Sequence, residues 1–164
     1  MKNYIGVGVS IGVLAGIWTA LSTNITSITL ITWVGFAAWA CYFAAGGGVT
    51  GLRNGLLSNL SGAVYGWLVV EFISHVAFKG NLAIAVGVIA VAMCLQAGWA
   101  PLSFIPGAFV GAASFFGAQF AFWPTVTALV VGALFGFASG VLGEKIQAAV
   151  VRPAPAEVPT APAV

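Results

Sequence analysis

Hydrophobic residues fall in six long runs along this chain, and clusters of Gly, Pro, Ser, Thr and Asn separate them. The runs are Tyr4–Leu21, Ile25–Ala45, Gly55–Val76, Leu82–Ala97, Leu102–Phe122 and Thr125–Gly143. A helix needs about 20 mostly apolar residues to cross a hydrocarbon core about 30 Å thick. The pattern therefore predicts six transmembrane helices. The runs are too long for barrel strands, and they lack alternation of apolar and polar residues. The breakers between them include Ser22-Thr23-Asn24, Gly46-Gly47-Gly48, Lys79-Gly80-Asn81 and Trp99-Ala100-Pro101, which are turn chemistry.

Composition strengthens the membrane reading. Charged residues make up 5% of the chain, against about 25% in a typical soluble domain. No charged outer face can be built from them, so the expected fold is an all-α integral membrane protein with the lipid bilayer as solvent. Lys2, Arg53, Lys145 and Arg152 would share one side of a six-span layout, and Lys79 would lie on the other. The excess of basic residues on cytoplasmic loops places both termini in the cytoplasm. The first run has features of a cleaved leader, but its length and its Gly8, Gly12 and Gly16 spacing predict a retained helix. Residues 1–146 form the expected transmembrane domain, followed by a Pro/Ala-rich cytoplasmic tail over 147–164. Pro153, Pro155, Pro159 and Pro162 predict disorder there.

Other chemistry is largely excluded. Two Cys and one His in separate runs do not make metal-ligand spacing, and no catalytic set can be assembled without Asp. No cofactor is implied. Five basic residues spread over two sides are no nucleic-acid footprint. An enzyme is not expected.

The second and third runs echo the fourth and fifth. Ile31 to Ala45 aligns with Ile84 to Gly98; a breaker-rich stretch and a small-residue helix follow each. Interrupted segments at matching places in two repeats point to a transport site. Glycines at four-residue spacing, Gly8/Gly12/Gly16 and Gly132/Gly136/Gly140, predict helix-packing faces within or between subunits, and a homo-oligomer is expected.

Three polar or aromatic sets are candidates for function. Ser58, Ser61 and Tyr65 fall on one stripe of the third helix, with Asn59 beside them. Their hydroxyls and amide would suit a small polar solute, or would simply join helices. Glu71, His75 and Lys79 follow at i, i+4 and i+8 on another face and can pair with one another. They are candidates for gating or proton sensing, or form an interfacial charge cluster. Phe104 and Phe109 in the fifth run, with Ser114, could line a narrow slot; lipid contact is the alternative for the Phe rings.

Residues Pro101 to Gly111, with the preceding short run and the six-run layout, resemble the bacterial inner-membrane family known as domain of unknown function 1097. That resemblance implies an inner-membrane location and six spans, and no substrate. The Gly/Pro breaks and Phe-rich helices are also faintly similar to urea and small-amide channels, although the paired motifs of those proteins are missing. The sequence thus suggests a channel or facilitator for a small polar, uncharged solute. A non-transporting subunit docking a partner through glycine stripes, or a proton-coupled transporter using Glu71 and His75, stand as alternatives.

Overall fold

The computed structural model describes residues 4–150; residues 147–150 of the expected tail belong to the last helix, and the rest of the tail, 151–164, lies outside the described residues. Within them the chain is helical. Six α-helices follow one another: α1 (Ile5–Asn24), α2 (Thr32–Ala44), α3 (Gly48–His75), α4 (Asn81–Leu95), α5 (Ile105–Gly117) and α6 (Phe122–Val150). Short 3-10 turns at Gln96–Gly98 and Ala100–Leu102 join α4 to α5. Four of the six helical segments are long and apolar enough to cross a bilayer: Ile5–Asn24, Gly48–His75, Asn81–Gly98 and Phe122–Val150.

The second and fifth runs differ from expectation. Each yields a helix of only 13 residues, about 20 Å long, against the roughly 30 Å a span needs. Residues 25–31 are Ile-Thr-Ser-Ile-Thr-Leu-Ile, and their β-branched and hydroxyl side chains favour other conformations over helix. At the other run, α5 starts late because Pro101 and Pro106 punctuate its entry, and Pro106 sits in its first turn. It also ends early, where Gln119 and Phe120 take left-handed φ of 54° and 65°.

The third run corrects in the opposite direction. Gly51, Arg53 and Gly55 are not loop residues, because α3 begins at Gly48. A Cβ on Gly51 would press on the Tyr42 carbonyl and one on Gly55 on the Cys41 carbonyl, so these glycines bring α3 against α2. Helix α6 likewise extends beyond Gly143 to Val150.

Helix lengths run long, short, long, and then again long, short, long. The expected echo of runs two and three in runs four and five pairs a short helix with a long one, and the contacts follow a different division. Gly62 and Gly66 of α3 lie against Ala108, Ala112 and Phe115 of α5. Gly132 and Gly136 of α6 lie against Gly35, Trp39 and Tyr42 of α2. Both sets show the same spacing, i and i+4 on the long helix against i, i+4 and i+7 on the short one. In both, contacts advance together along the two helices, so each pair runs parallel.

The turn after each short helix repeats too. Gly46 N–H donates to the Phe43 carbonyl and Gly47 N–H to that of Tyr42. Gln119 N–H donates to the Phe116 carbonyl and Phe120 N–H to that of Phe115. These are two Schellman-type helix ends. Gly46, at φ 102°, takes the left-handed position that glycine suits; Gln119 fills its place in the second copy. Units α1–α3 and α4–α6 thus share this arrangement of turn bonds and glycine contacts. Three crossings apiece would set them in opposite directions through a bilayer.

The copies interlock. Helix α6 packs on α1 and α2, whereas α3 packs on α5 and α4. Gly6 of α1 touches Gly143 and Gln147 of α6, and the Trp18 and Phe135 rings meet at 5.6 Å. The central core takes Val34 and Ala38 from α2, Ala63 from α3, Phe115 from α5, and Ala128, Leu129 and Ala133 from α6. The outer faces are aliphatic, as with Val9 and Val13 of α1 and Ile84 and Val88 of α4; such a surface suits lipid.

Candidate functional site

Buried polar side chains separate into two groups. Those of α1, α2 and α6 are closed. Trp18 Nε1 donates to the Thr32 carbonyl at 3.0 Å. Trp39 Nε1 donates to Ser139 Oγ at 2.9 Å, and that hydroxyl donates onward to the Gly136 carbonyl at 2.7 Å. Ser10 Oγ lies 2.8 Å from the Ser139 carbonyl, and Thr125 Oγ1 donates to the Ala121 carbonyl at 2.8 Å.

The other group sits on α3, α5 and the end of α4. Ser58 Oγ, both amide atoms of Asn59, Ser114 Oγ and Gln96 Oε1 are buried without a hydrogen-bond partner. Ser58, Asn59 and Ser114 are at most 1% exposed. An orphaned buried polar group costs about 1–3 kcal/mol, and a bilayer offers no water to relieve it.

Local packing explains how these groups come together. Gly107 and Gly111 let α5 lie directly on α3: a Cβ on Gly111 would strike the Asn59 backbone, and one on Gly107 would meet Ser58 Cβ at 3.0 Å. Ser114 lies one turn beyond Gly111 on the same stripe of α5. From the opposite direction, α2 brings the Cys41 thiol beside the Asn59 side chain. Asn59 thus stands where α2, α3 and α5 meet. The matching glycine contacts add a contrast, because Gly62 and Gly132 hold the same place in the two crossings and Asn59 and Leu129 each lie three residues before. Both are fully buried, one as an unpartnered amide and the other as a hydrocarbon.

The remaining candidates disperse. Ser61 faces α4, where its Oγ donates to the Ser58 carbonyl at 2.8 Å and accepts from Gln96 Nε2 at 3.1 Å. Gln96 was not anticipated; its place just before a breaker cluster was the available signal. Tyr65 lines an apolar groove of about 340 Å³ between α3 and α4 with Leu68, Phe72, Ile84 and Val88. Phe109 lines a smaller apolar groove between α4 and α5 and is exposed, while Phe104 packs beside Gly107. Neither groove contains the Ser58–Asn59 pair, so the expected ladder from Ser58 through Tyr65 does not line one cavity. Helix α3 turns its successive polar residues toward three different neighbours.

Of the charged trio, Glu71 and His75 pair as expected and Lys79 does not join them. His75 Nδ1 lies 3.6 Å from Glu71 Oε1, and both side chains are more than half exposed. Lys79 is off their helical register, because α3 ends at His75 and Val76 is extended. Glu71 is one turn from the helix end and open to its surroundings, away from the buried polar residues.

The sequence matches the model of the family described as "Protein of unknown function (DUF1097)" over residues 8–144. It is 32% identical over 142 residues to the inner membrane protein YcdZ of Escherichia coli K12, covering 84% of each chain. The YcdZ protein of Salmonella typhimurium is 31% identical over 148 residues, covering 84% of this chain and 86% of the relative. YahC of Escherichia coli K12, an uncharacterized protein, is 31% identical over 164 residues, covering 93% of this chain and 98% of that one. No solved structure matches. The match across nearly the whole helical region, with apolar helices long enough to cross a bilayer, makes this chain an integral membrane protein of the DUF1097 family.

Proposed function

We propose that the protein is a membrane facilitator for a small, uncharged polar solute, with its binding groups on α3 and α5. The observation that supports this reading is Asn59. Its amide is fully buried and, the weak Cys41 thiol beside it aside, unpartnered, where the α2–α6 crossing has Leu129 at the matching place. A residue kept only for packing would carry no such penalty.

The donor set fits a neutral cargo. Asn59 offers N–H donors and a carbonyl acceptor, while Ser58 and Ser114 each offer a hydroxyl. No Asp, Glu, Lys, Arg or His is among these groups, so a charged solute would lack a counter-ion. The positive-inside pattern supports cytoplasmic termini. Flux into proteoliposomes across a panel of small amides and polyols tests the proposal. At least one solute should enter faster than through bare lipid, and Asn59→Leu should remove that excess. Uptake indistinguishable from bare lipid across the panel would sink the reading.

A second reading has its own support. Gly8, Gly12 and Gly16 of α1 face outward, and a Cβ added at any of them would meet nothing within 4 Å. An open small-residue stripe suits helix association, either in a homo-oligomer or with a partner subunit. Co-purification of a stoichiometric partner, with no flux by the isolated protein, would favour this role.

A further inference from the structure

Helices α3 and α4 form a hairpin, and between them lies the apolar groove that Tyr65, Leu68 and Phe72 share with Ile84, Val88 and Ala92. On α3 it extends over the seven-residue step from Tyr65 to Phe72, about 10 Å along the helix. That suits the depth of one leaflet, about 15 Å of hydrocarbon, and not a passage through the bilayer. Helix α4 buries only Ala85 and Met93, so its packing leaves the slot open. Inside a membrane, such a slot keeps its dispersion contacts only if hydrocarbon fills it.

The mouth of the groove is charged in an ordered way. Residues 76–80 join the two walls there. On one wall α3 ends at His75, with Glu71 one turn back, and a helix C-terminus is the negative end of its dipole. Leu68, Phe72 and His75 fall on one stripe of α3, with Glu71 beside it. On the other wall Lys79 precedes the Gly80 cap of α4, whose N-terminus is the positive end of its dipole. The Glu71 and His75 side chains are more than half exposed, and Lys79 has no acidic partner among the described residues. A negative pole on α3 and a positive pole at the start of α4 thus stand over one hydrocarbon slot.

We propose that this groove binds one phospholipid with a zwitterionic, amine-bearing headgroup. One acyl chain lies along Leu68, Phe72, Ile84 and Val88. The phosphate faces Lys79 and the start of α4. The ammonium donates to the Glu71 carboxylate, a charge-assisted pairing. Phosphatidylcholine carries the same charges without an N–H donor, and phosphatidylglycerol offers Glu71 no cation. The site is independent of the transport reading.

Native mass spectrometry of the whole protein, purified in mild detergent and offered each of three lipids with identical chains, tests the site. The protein should retain a single phosphatidylethanolamine, with phosphatidylcholine and phosphatidylglycerol each held about fivefold more weakly. Glu71→Lys makes the mouth wholly basic and should invert the order in favour of phosphatidylglycerol. Ala85→Phe puts a ring into the groove and should end retention of all three. Val88→Trp, at an exposed position, should do the same from the rim, and it serves if position 85 does not tolerate a ring.

Equal retention of the three lipids, or an unchanged order in Glu71→Lys, overturns the headgroup assignment and the proposal with it. Retention that survives the groove variants overturns the site. Loss of a dimer in place of a lipid also overturns it, and gives the groove to a second copy of the chain.

Discussion

The α2–α6 and α3–α5 crossings are built alike and finished differently. Each pairs a long helix with a short parallel one through glycines at the same spacing. In α2–α6 the polar groups are closed: Trp39 donates to Ser139, and Gly48 N–H donates to the Tyr42 hydroxyl at 2.9 Å. In α3–α5, Ser58, Asn59 and Ser114 end without partners. Backbone proximity is thus a shared requirement of the fold. Polar closure is where the two copies part, and that difference locates the residues retained at a cost to stability.

The comparison breaks most readily at its shared feature. Gly132→Val and Gly62→Val should each destabilise the protein by more than about 3 kcal/mol, because the added atoms meet backbone that cannot yield. Thermal denaturation in detergent reads this, and tolerance at one site alone would undo the equivalence of the crossings. The polar contrast is sharper because it predicts opposite signs. Asn59→Leu should raise stability by about 1–3 kcal/mol while eliminating solute flux, since it removes orphaned groups. Ser139→Ala should lower stability by about 1–2 kcal/mol and leave flux unchanged, because it strands Trp39 Nε1. A smaller gain, about 1 kcal/mol, is expected for Gln119→Gly, which relieves the left-handed position that Gly46 already occupies in the first copy. Smallest of all, Gly12→Ala should change protomer stability by less than about 0.5 kcal/mol, since its Cβ would meet no neighbour.

Much of this was legible in the amino-acid pattern, and the failures have physical causes. Long apolar runs announced α1, α3, α4 and α6 because hydropathy over about 20 residues is a strong signal. The same signal overestimated α2 and α5. Ile25 to Ile31 is apolar enough for a span yet poor in helix formers, and hydropathy does not weigh backbone preference. The stripe Gly132/Gly136/Gly140 is a packing face as expected, whereas Gly8/Gly12/Gly16 with identical spacing lies open; periodicity identifies a close-approach surface without saying what approaches.

Asn59 and the two nearby serines were visible as scarce polar groups in apolar runs. Their lack of partners was not, because it depends on helices distant in sequence. The expected echo of runs two and three in runs four and five does not match the helix lengths, since α3 has 28 residues and α5 has 13. Ile31–Ala45 and Ile84–Gly98 share composition, while the likeness of α2–α6 to α3–α5 rests on turn bonds and glycine contacts that leave little residue identity behind. Gly46 answers to Gln119 and Gly47 to Phe120, pairs that no composition match would join.

The interlocking of the two copies has a consequence for how the molecule is made. Helix α1, synthesised before the other five helices, finds its main partner in α6: Gly6 N–H donates to Gln147 Oε1 at 3.1 Å, and Trp18 waits for Phe135. Until α6 emerges from the ribosome, α1 and α2 lack the surface they are shaped to meet. Insertion can proceed helix by helix, but tertiary structure closes only at the end. The nascent chain must therefore be sheltered, by lipid or by the insertion machinery, from the synthesis of α1 until α6 has been made.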